Sequence, residues 1–254
     1  MKETKNTRTT KTTANTKGKK EKKAMKKINE NFVPWDQHVE NLSLKSNEIN
    51  MANRNKKTGI ACLDFAFPLC TCREDAPCKE TCYANKGTQK CASVQGAYYR
   101  NLRLMNEDID DLFEQIEFKI KHSGLSMVRF FDSGDIPNAE FFEKMCDSIK
   151  RLPDVKFMAF TKKYEIVNEY LNKGNTIPDN FNIMFSAWDY TWKFDNPFDL
   201  PVAYVKFKDE RLNPDIPKYA LSCPSNGKKL GEVTCSMCKA CWNKKLKAVY
   251  FEEH

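Results

Sequence analysis

Eleven cysteines stand in this chain of 254 residues, and ten of them fall in two short stretches. Six lie between residues 57 and 91: Cys62, Cys70, Cys72, Cys78, Cys82 and Cys91, with Cys82 opening the tripeptide Cys82-Tyr83-Ala84. Four lie near the other end, where Cys223-Pro224 is followed by Cys235, Cys238, Cys241 and Trp242 in the spacing C-x11-C-x2-C-x2-C-W. Thiolates set a few residues apart can wrap one metal centre, because a short loop carries them into bonding reach together. A C-x2-C-x2-C triple with a remote Cys-Pro suits a [4Fe-4S] cluster, although here the Cys-Pro precedes the triple. Structural zinc more often takes two separated C-x2-C pairs and is the alternative. In the first stretch Cys72, Cys78 and Cys82 supply three close thiolates, with Cys70 as a spare. Three protein ligands would leave one iron open to substrate or cofactor; four would close it. The two stretches predict one or two clusters, and whether they make separate sites or meet in one is left open. Cys146, alone on a helical face, reads as a buried apolar thiol.

The residues between the two stretches must supply the scaffold. Val94 to His122 carries apolar residues at intervals of three and four, predicting one long helix. Met127 to Phe131 reads as a strand that stops at Asp132-Ser133-Gly134-Asp135, and Pro137 or Asn138 opens the next helix. The unit then repeats. A strand at Val155 to Phe160 is followed by a short helix at Tyr164 to Leu171 closed by Gly174, then strands at Phe181 to Ser186, Val202 to Phe207 and Tyr219 to Ser222. Strands alternating with helices predict an α/β fold with a mainly parallel sheet, either an open doubly wound sheet or a (β/α) barrel or partial barrel. No glycine-rich phosphate turn follows any strand, which weighs against a nucleotide-binding sheet. In parallel sheets the functional groups gather past the carboxyl ends of the strands. Asp132, Ser133, Asp135 and Trp188 are therefore the pocket candidates; a turn with a helix cap is the plainer reading of Asp132 to Asp135.

Residues 1–30 hold eleven Lys or Arg and three Glu, an excess that accounts for the whole net charge of +8. The rest of the chain is neutral. This tail is too poor in apolar residues to bury a core, so we expect 1–30 to be a disordered basic tail and 31–254 a single α/β domain with Cys-rich loops at 62–91 and 223–242. A basic tail on a neutral body permits weak nucleic-acid contact, or it merely solubilises. No apolar run is long enough for a membrane span or a secretory signal, which predicts a cytoplasmic protein with no membrane partner. In a reducing compartment clustered cysteines favour metal ligation over disulfides.

Several spaced motifs together resemble the phage "gene product 88" family: Lys57-Thr58-Gly59, the Cys72, Cys78, Cys82-Tyr83-Ala84 pattern, Asp132-Ser133-Gly134-Asp135, Phe160-Thr161-Lys162, Ser186-Ala187-Trp188 and the closing Cys235 to Cys241-Trp242. The resemblance covers roughly residues 55 to 254 and implies a bacteriophage or prophage origin, hence the cytoplasm of a bacterial host. More remotely, a Cys-rich loop before a β/α array is similar to the radical S-adenosylmethionine superfamily. That likeness implies a barrel, a three-cysteine cluster and S-adenosylmethionine as cofactor. The superfamily's C-x3-C-x2-C is not reproduced, since Cys78-x3-Cys82 is followed by Tyr83-Ala84-Asn85, so the third ligand would come from Cys72 or Cys70. The functional expectation is an iron-sulfur protein with redox or radical chemistry on an unknown small-molecule or macromolecular substrate. The alternative is a non-enzymatic, metal-stapled protein that contacts nucleic acid or a host factor through its tail.

Overall fold

Strands form where short apolar runs stop at turn residues, and among the described residues there are eight such places. The computed structural model describes residues 35–53, 62–225 and 232–253. The basic tail and Lys57-Thr58-Gly59 lie outside the described residues. The chain divides into two compact units, Met1–His38 and Val39–His254; the second carries the sheet.

Its strands are β1 (Met51–Ala52), β2 (Leu63–Phe65), β3 (Met127–Phe130), β4 (Lys156–Thr161), β5 (Phe181–Ser186), β6 (Val202–Lys206), β7 (Leu221–Ser222) and β8 (Ala248–Glu252). They join in one sheet in the order β1-β2-β3-β4-β5-β6-β8-β7. β1 pairs antiparallel with β2 and the other pairings are parallel. The expected α/β class and mainly parallel sheet are therefore present. A closed barrel is not, because the sheet stays open, with the two-residue strands β1 and β7 at its edges. Strand β8 was not anticipated, and it lies between β6 and β7.

Helix α1 (Trp35–Ser43) precedes β1, and α2 (Ala92–Glu107), α3 (Ile109–Ser123), α4 (Ala139–Lys150) and α5 (Tyr164–Asn172) fall between strands. The single long helix read at 94–122 is two, because Asp108 interrupts it. The Asp108 carboxylate accepts from the N–H groups of Asp110 and Asp111, both at 3.0 Å, and so starts a new helix. Such a cap stabilises a helix start by about 1 kcal/mol. Asn138 caps α4 as expected, accepting from Phe141 N at 2.8 Å. Among the described residues no helix is long and apolar enough to cross a membrane.

Side chains alternate across the strands, so each face has its own core. One face, with Leu63, Phe65, Val128, Phe130, Phe157, Ile183 and Phe185, packs against Phe113, Ile116, Phe141, Phe142, Met145 and Val167 of the helices. Phe65, Phe130, Phe157, Phe181 and Phe185 are fully buried, each stabilising the fold by about 1.5–3 kcal/mol. The opposite face presents Cys62, Met127, Met158, Met184, Ala203 and Val249. Among the described residues, Trp242, Cys223, Cys235 and Cys241 pack there rather than a helix of the β/α units.

Candidate metal centres

The first cysteine loop is fastened to the turn that follows β3. Phe131 adopts a left-handed conformation (φ 63°), and Gly134 does so too (φ 75°), folding the chain back over the loop. Phe67 N donates to Ser133 O at 3.0 Å. The Thr71 hydroxyl donates to Pro68 O at 2.9 Å and accepts from Asp135 N at 2.9 Å. A Cβ at Gly134 would stand 2.6 Å from Thr71 Oγ1 and 2.8 Å from Phe67 O, so the contact admits only glycine. The Asp132 to Asp135 segment is thus a turn, as its plainer reading expected, while the helix cap falls to Asn138.

The four pocket candidates have different fates. Asp135 is buried and its carboxylate is fully engaged, accepting from Thr161 Oγ1 (2.6 Å), Ile136 N (2.8 Å) and Lys162 N (2.8 Å). Burial raises its pKa despite those bonds. Asp132 and Ser133 are also buried, but Asp132 Oδ1 and Ser133 Oγ have no hydrogen-bond partner. Trp188 is half-buried, edge-on to Phe207 with ring centroids 5.1 Å apart, and the Lys162 ammonium lies 5.8 Å from its ring centre. Asp132 and Ser133 therefore keep free polar atoms.

Cys72, Cys78 and Cys82 are each half-buried, with Cys78 and Cys82 in electrostatic reach of Cys72. Burial pushes the Cys72 thiol up to about 12, helped by the charges of Asp135, Cys78 and Cys82, while Lys162 opposes them. Burial likewise raises Cys82, with Cys78 adding to it. Cys70 and Cys91 are exposed. Tyr83, next to Cys82, leaves 45% of its surface exposed but inserts its hydroxyl, which donates to Asp132 O and accepts from Arg129 Nη2 at 3.1 Å.

The C-terminal group assembles from three segments. Cys223 follows β7 and donates its N–H to Tyr250 O of β8 at 3.0 Å. Cys235 and Cys238 bound a single helical turn, α6 (Cys235–Cys238), and so lie on one side of it. Lys239 then takes a left-handed conformation (φ 57°), its N–H bonded to Cys235 O at 2.7 Å, and turns the chain back into Cys241. Trp242, 5% exposed, pins the end of this segment by donating from Nε1 to Val128 O at 2.9 Å. Asn182 Nδ2 adds bonds to Cys241 O at 2.9 Å and Asn243 O at 3.3 Å. Burial, then the charges of Cys235, Cys223 and Cys238, push Cys241 up to about 12. Cys223, Cys235 and Cys241 thus pack in one cluster with Trp242, and Cys238 lies within electrostatic reach of Cys241.

The two groups do not share a rim. The first loop is tied to residues past the carboxyl ends of β3 and β4. Cys241 and Trp242 are tied to Val128 and Asn182, the second residues of β3 and β5. Cys146, 0% exposed in the helix-side core, behaves as the apolar thiol expected of it.

Sequence reasoning overlooked three neighbours of the second group. Cys62, assigned by proximity in sequence to the first stretch, is buried with Cys223, Cys235 and Cys241 around Trp242. Asp64 and Arg129 are register partners on β2 and β3, on the same face as Met127. A lone charge in Met127-Val128-Arg129-Phe130 was the available signal, since a strand packed on both faces has no ordinary place for an arginine.

Four thiols within electrostatic reach of one another are the donor set of a cysteine-held iron-sulfur cluster or of zinc. As the side chains stand, no group of three or more His, Cys, Asp or Glu among the described residues is arranged to hold a metal ion. The cysteines are gathered more loosely than a coordination sphere.

The family model described as Gene product 88 matches residues 2–244. No curated protein and no solved structure matches the chain, and the remoter similarity to radical S-adenosylmethionine proteins has no support among these comparisons.

Proposed function

Because the chain belongs to the Gene product 88 family, we propose that it is a phage-encoded iron-sulfur protein of the bacterial cytoplasm, with two cysteine-held centres on one α/β scaffold. The observation that carries this reading is that Cys223, Cys235 and Cys241, from segments on both sides of residues 226–231, pack in one cluster with Trp242, with Cys238 in electrostatic reach of Cys241. The C-x2-C-x2-C spacing favours a [4Fe-4S] cluster over zinc, which would be the second choice for four thiolates. A cluster held there would supply electron transfer from a centre shielded by Trp242.

Cys72, Cys78 and Cys82 form a set of three, the number that leaves one iron of a cluster to an outside ligand. The free Oδ1 of Asp132 and Oγ of Ser133 lie in the turn beside this set and would orient a ligand through its hydrogen-bond donors. This is where a substrate or S-adenosylmethionine would be sought. The sequential parallel order β2 to β6 is also that of a partial barrel, which would bring the strand ends around such a ligand.

The test is iron and acid-labile sulfide per chain on anaerobically purified protein, with absorption and EPR spectra, for wild type, Cys82→Ala and Cys238→Ala. About eight irons in wild type and about four in each variant are expected. Zinc without iron in wild type would overturn the redox reading.

A further inference from the structure

A pocket of about 280 Å³ opens between the first cysteine loop, α5 and the segment that follows β5. Two of those walls follow β4 and β5, and parallel sheets place their ligands past the carboxyl ends of such strands. Its size is just under the ~300–1,000 Å³ of most small-molecule pockets, which suits one small planar group.

The aromatic wall is fixed in place. Trp192 donates from Nε1 to Tyr164 Oη at 2.8 Å, and Phe194 stacks on Tyr164 with ring centroids 4.5 Å apart. Arg73, the residue after Cys72, reaches in from the loop and lays its guanidinium over the Trp192 ring, 5.7 Å from the centroid. Asp75 accepts from its Nε at 2.8 Å and Nη2 at 3.1 Å, and Glu165 accepts from Nη1 at 2.7 Å. The pocket thus already accommodates one guanidinium of the chain's own.

The other polar groups call for a second donor. Asn168 Nδ2 is committed to Asp195 O at 3.0 Å, which orients the amide, while Asn168 Oδ1 is buried and has no hydrogen-bond partner. A buried acceptor left unmet is uncommon enough to need a donor. Three carboxylates, those of Asp75, Glu165 and Asp195, line the pocket with two cations, Arg73 and Lys193. That negative excess disfavours phosphates and carboxylates, and the indole face attracts cations. A guanidinium offers a planar stacking surface and a fixed fork of N–H donors, whereas an ammonium offers neither.

We propose that this pocket binds a guanidinium-bearing ligand, its plane against the wall of Trp192 and Phe194 and its N–H groups donating to Asn168 Oδ1 and the Asp195 carboxylate. The site is independent of any metal, since no cysteine is among the residues that line it.

The test is an NMR titration of the full chain at low salt with agmatine, which carries one guanidinium, and with cadaverine, which carries the same charge on two ammonium groups. The Trp192 indole N–H resonance, identified by its absence in Trp192→Phe, is the reporter. Agmatine should move that resonance saturably, with cadaverine about fivefold weaker. Asn168→Ala removes the acceptor and should weaken agmatine about two- to tenfold. Asp195→Asn, at an exposed position and isosteric, should weaken it about two- to fivefold. Wild-type agmatine affinity in Asp195→Asn overturns the assignment even if Asn168→Ala fails to fold. Equal affinity for cadaverine, no saturation by millimolar agmatine, or displacement of the resonance by adenosine monophosphate overturns it as well.

Discussion

Replacing Gly134 by alanine tests how the first cysteine loop is held. At φ 75° an L-residue is strained by about 1–2 kcal/mol. The new methyl would also meet Thr71 Oγ1 at 2.6 Å and Phe67 O at 2.8 Å. One of these is backbone, so the turn must separate from the loop, at about 1–3 kcal/mol for overpacking. The separation endangers the bond from Asp135 N to Thr71 Oγ1, worth about 1 kcal/mol. Together these predict about 3–6 kcal/mol of destabilisation, a large share of the ~5–15 kcal/mol that holds a domain folded. Gly124→Ala is the matched control, because Gly124 has φ 67° but nothing within 4 Å of the new Cβ. Its cost should be the backbone strain alone, about 1–2 kcal/mol. Urea unfolding of the three proteins, with equal m-values, measures both differences. The reasoning is refuted if the two variants agree within about 0.5 kcal/mol.

Trp242→Phe removes the donor to Val128 O while keeping an aromatic ring, and should cost about 1–3 kcal/mol in urea unfolding; unchanged stability would mean that the indole does not anchor the segment. Glu117, 12% exposed, accepts from Arg151 Nε at 2.8 Å and Nη2 at 2.6 Å. Burial alone would raise its pKa, but hydrogen bonds from Arg151 and Ser148 outweigh it and hold the carboxyl below its ordinary value. A depressed carboxylate stabilises the fold above the unfolded pKa of about 4.3, and that contribution disappears as pH falls through the lower folded value. Glu117→Gln should therefore cost about 1 kcal/mol at pH 7, Arg151 being half exposed, and about nothing at the acid end of the folded range. A deficit that stays constant from pH 7 down to acid would contradict the assignment.

The scaffold was legible wherever a local pattern and its tertiary role coincide. Phe181 to Ser186 and Tyr164 to Leu171 carry apolar runs or stripes that terminate in turn residues, and both elements stand where expected. The break at Asp108 was hidden because α2 and α3 present their apolar stripes to the same core, so the periodicity continues across a cap that one carboxylate creates. Strand β8 was hidden by the Lys-rich run before it. Open or closed topology depends on edge pairing, which no single strand encodes. The cysteine groups were legible because their ligands repeat at short intervals. Cys62 and Arg129 carry no spacing at all and join the second group only through pairing between β2 and β3.

The insertion of β8 between β6 and β7 imposes an order in time. β7 pairs with β8, and the Cys223 N–H is held by Tyr250. During synthesis, then, Cys223 emerges some thirty residues before the strand that fixes it, while the first loop already has β3 and β4 to rest on. Domains assemble as the ribosome delivers them, at about 5–20 residues per second. The second group of thiols therefore stays incomplete for seconds after the first is framed.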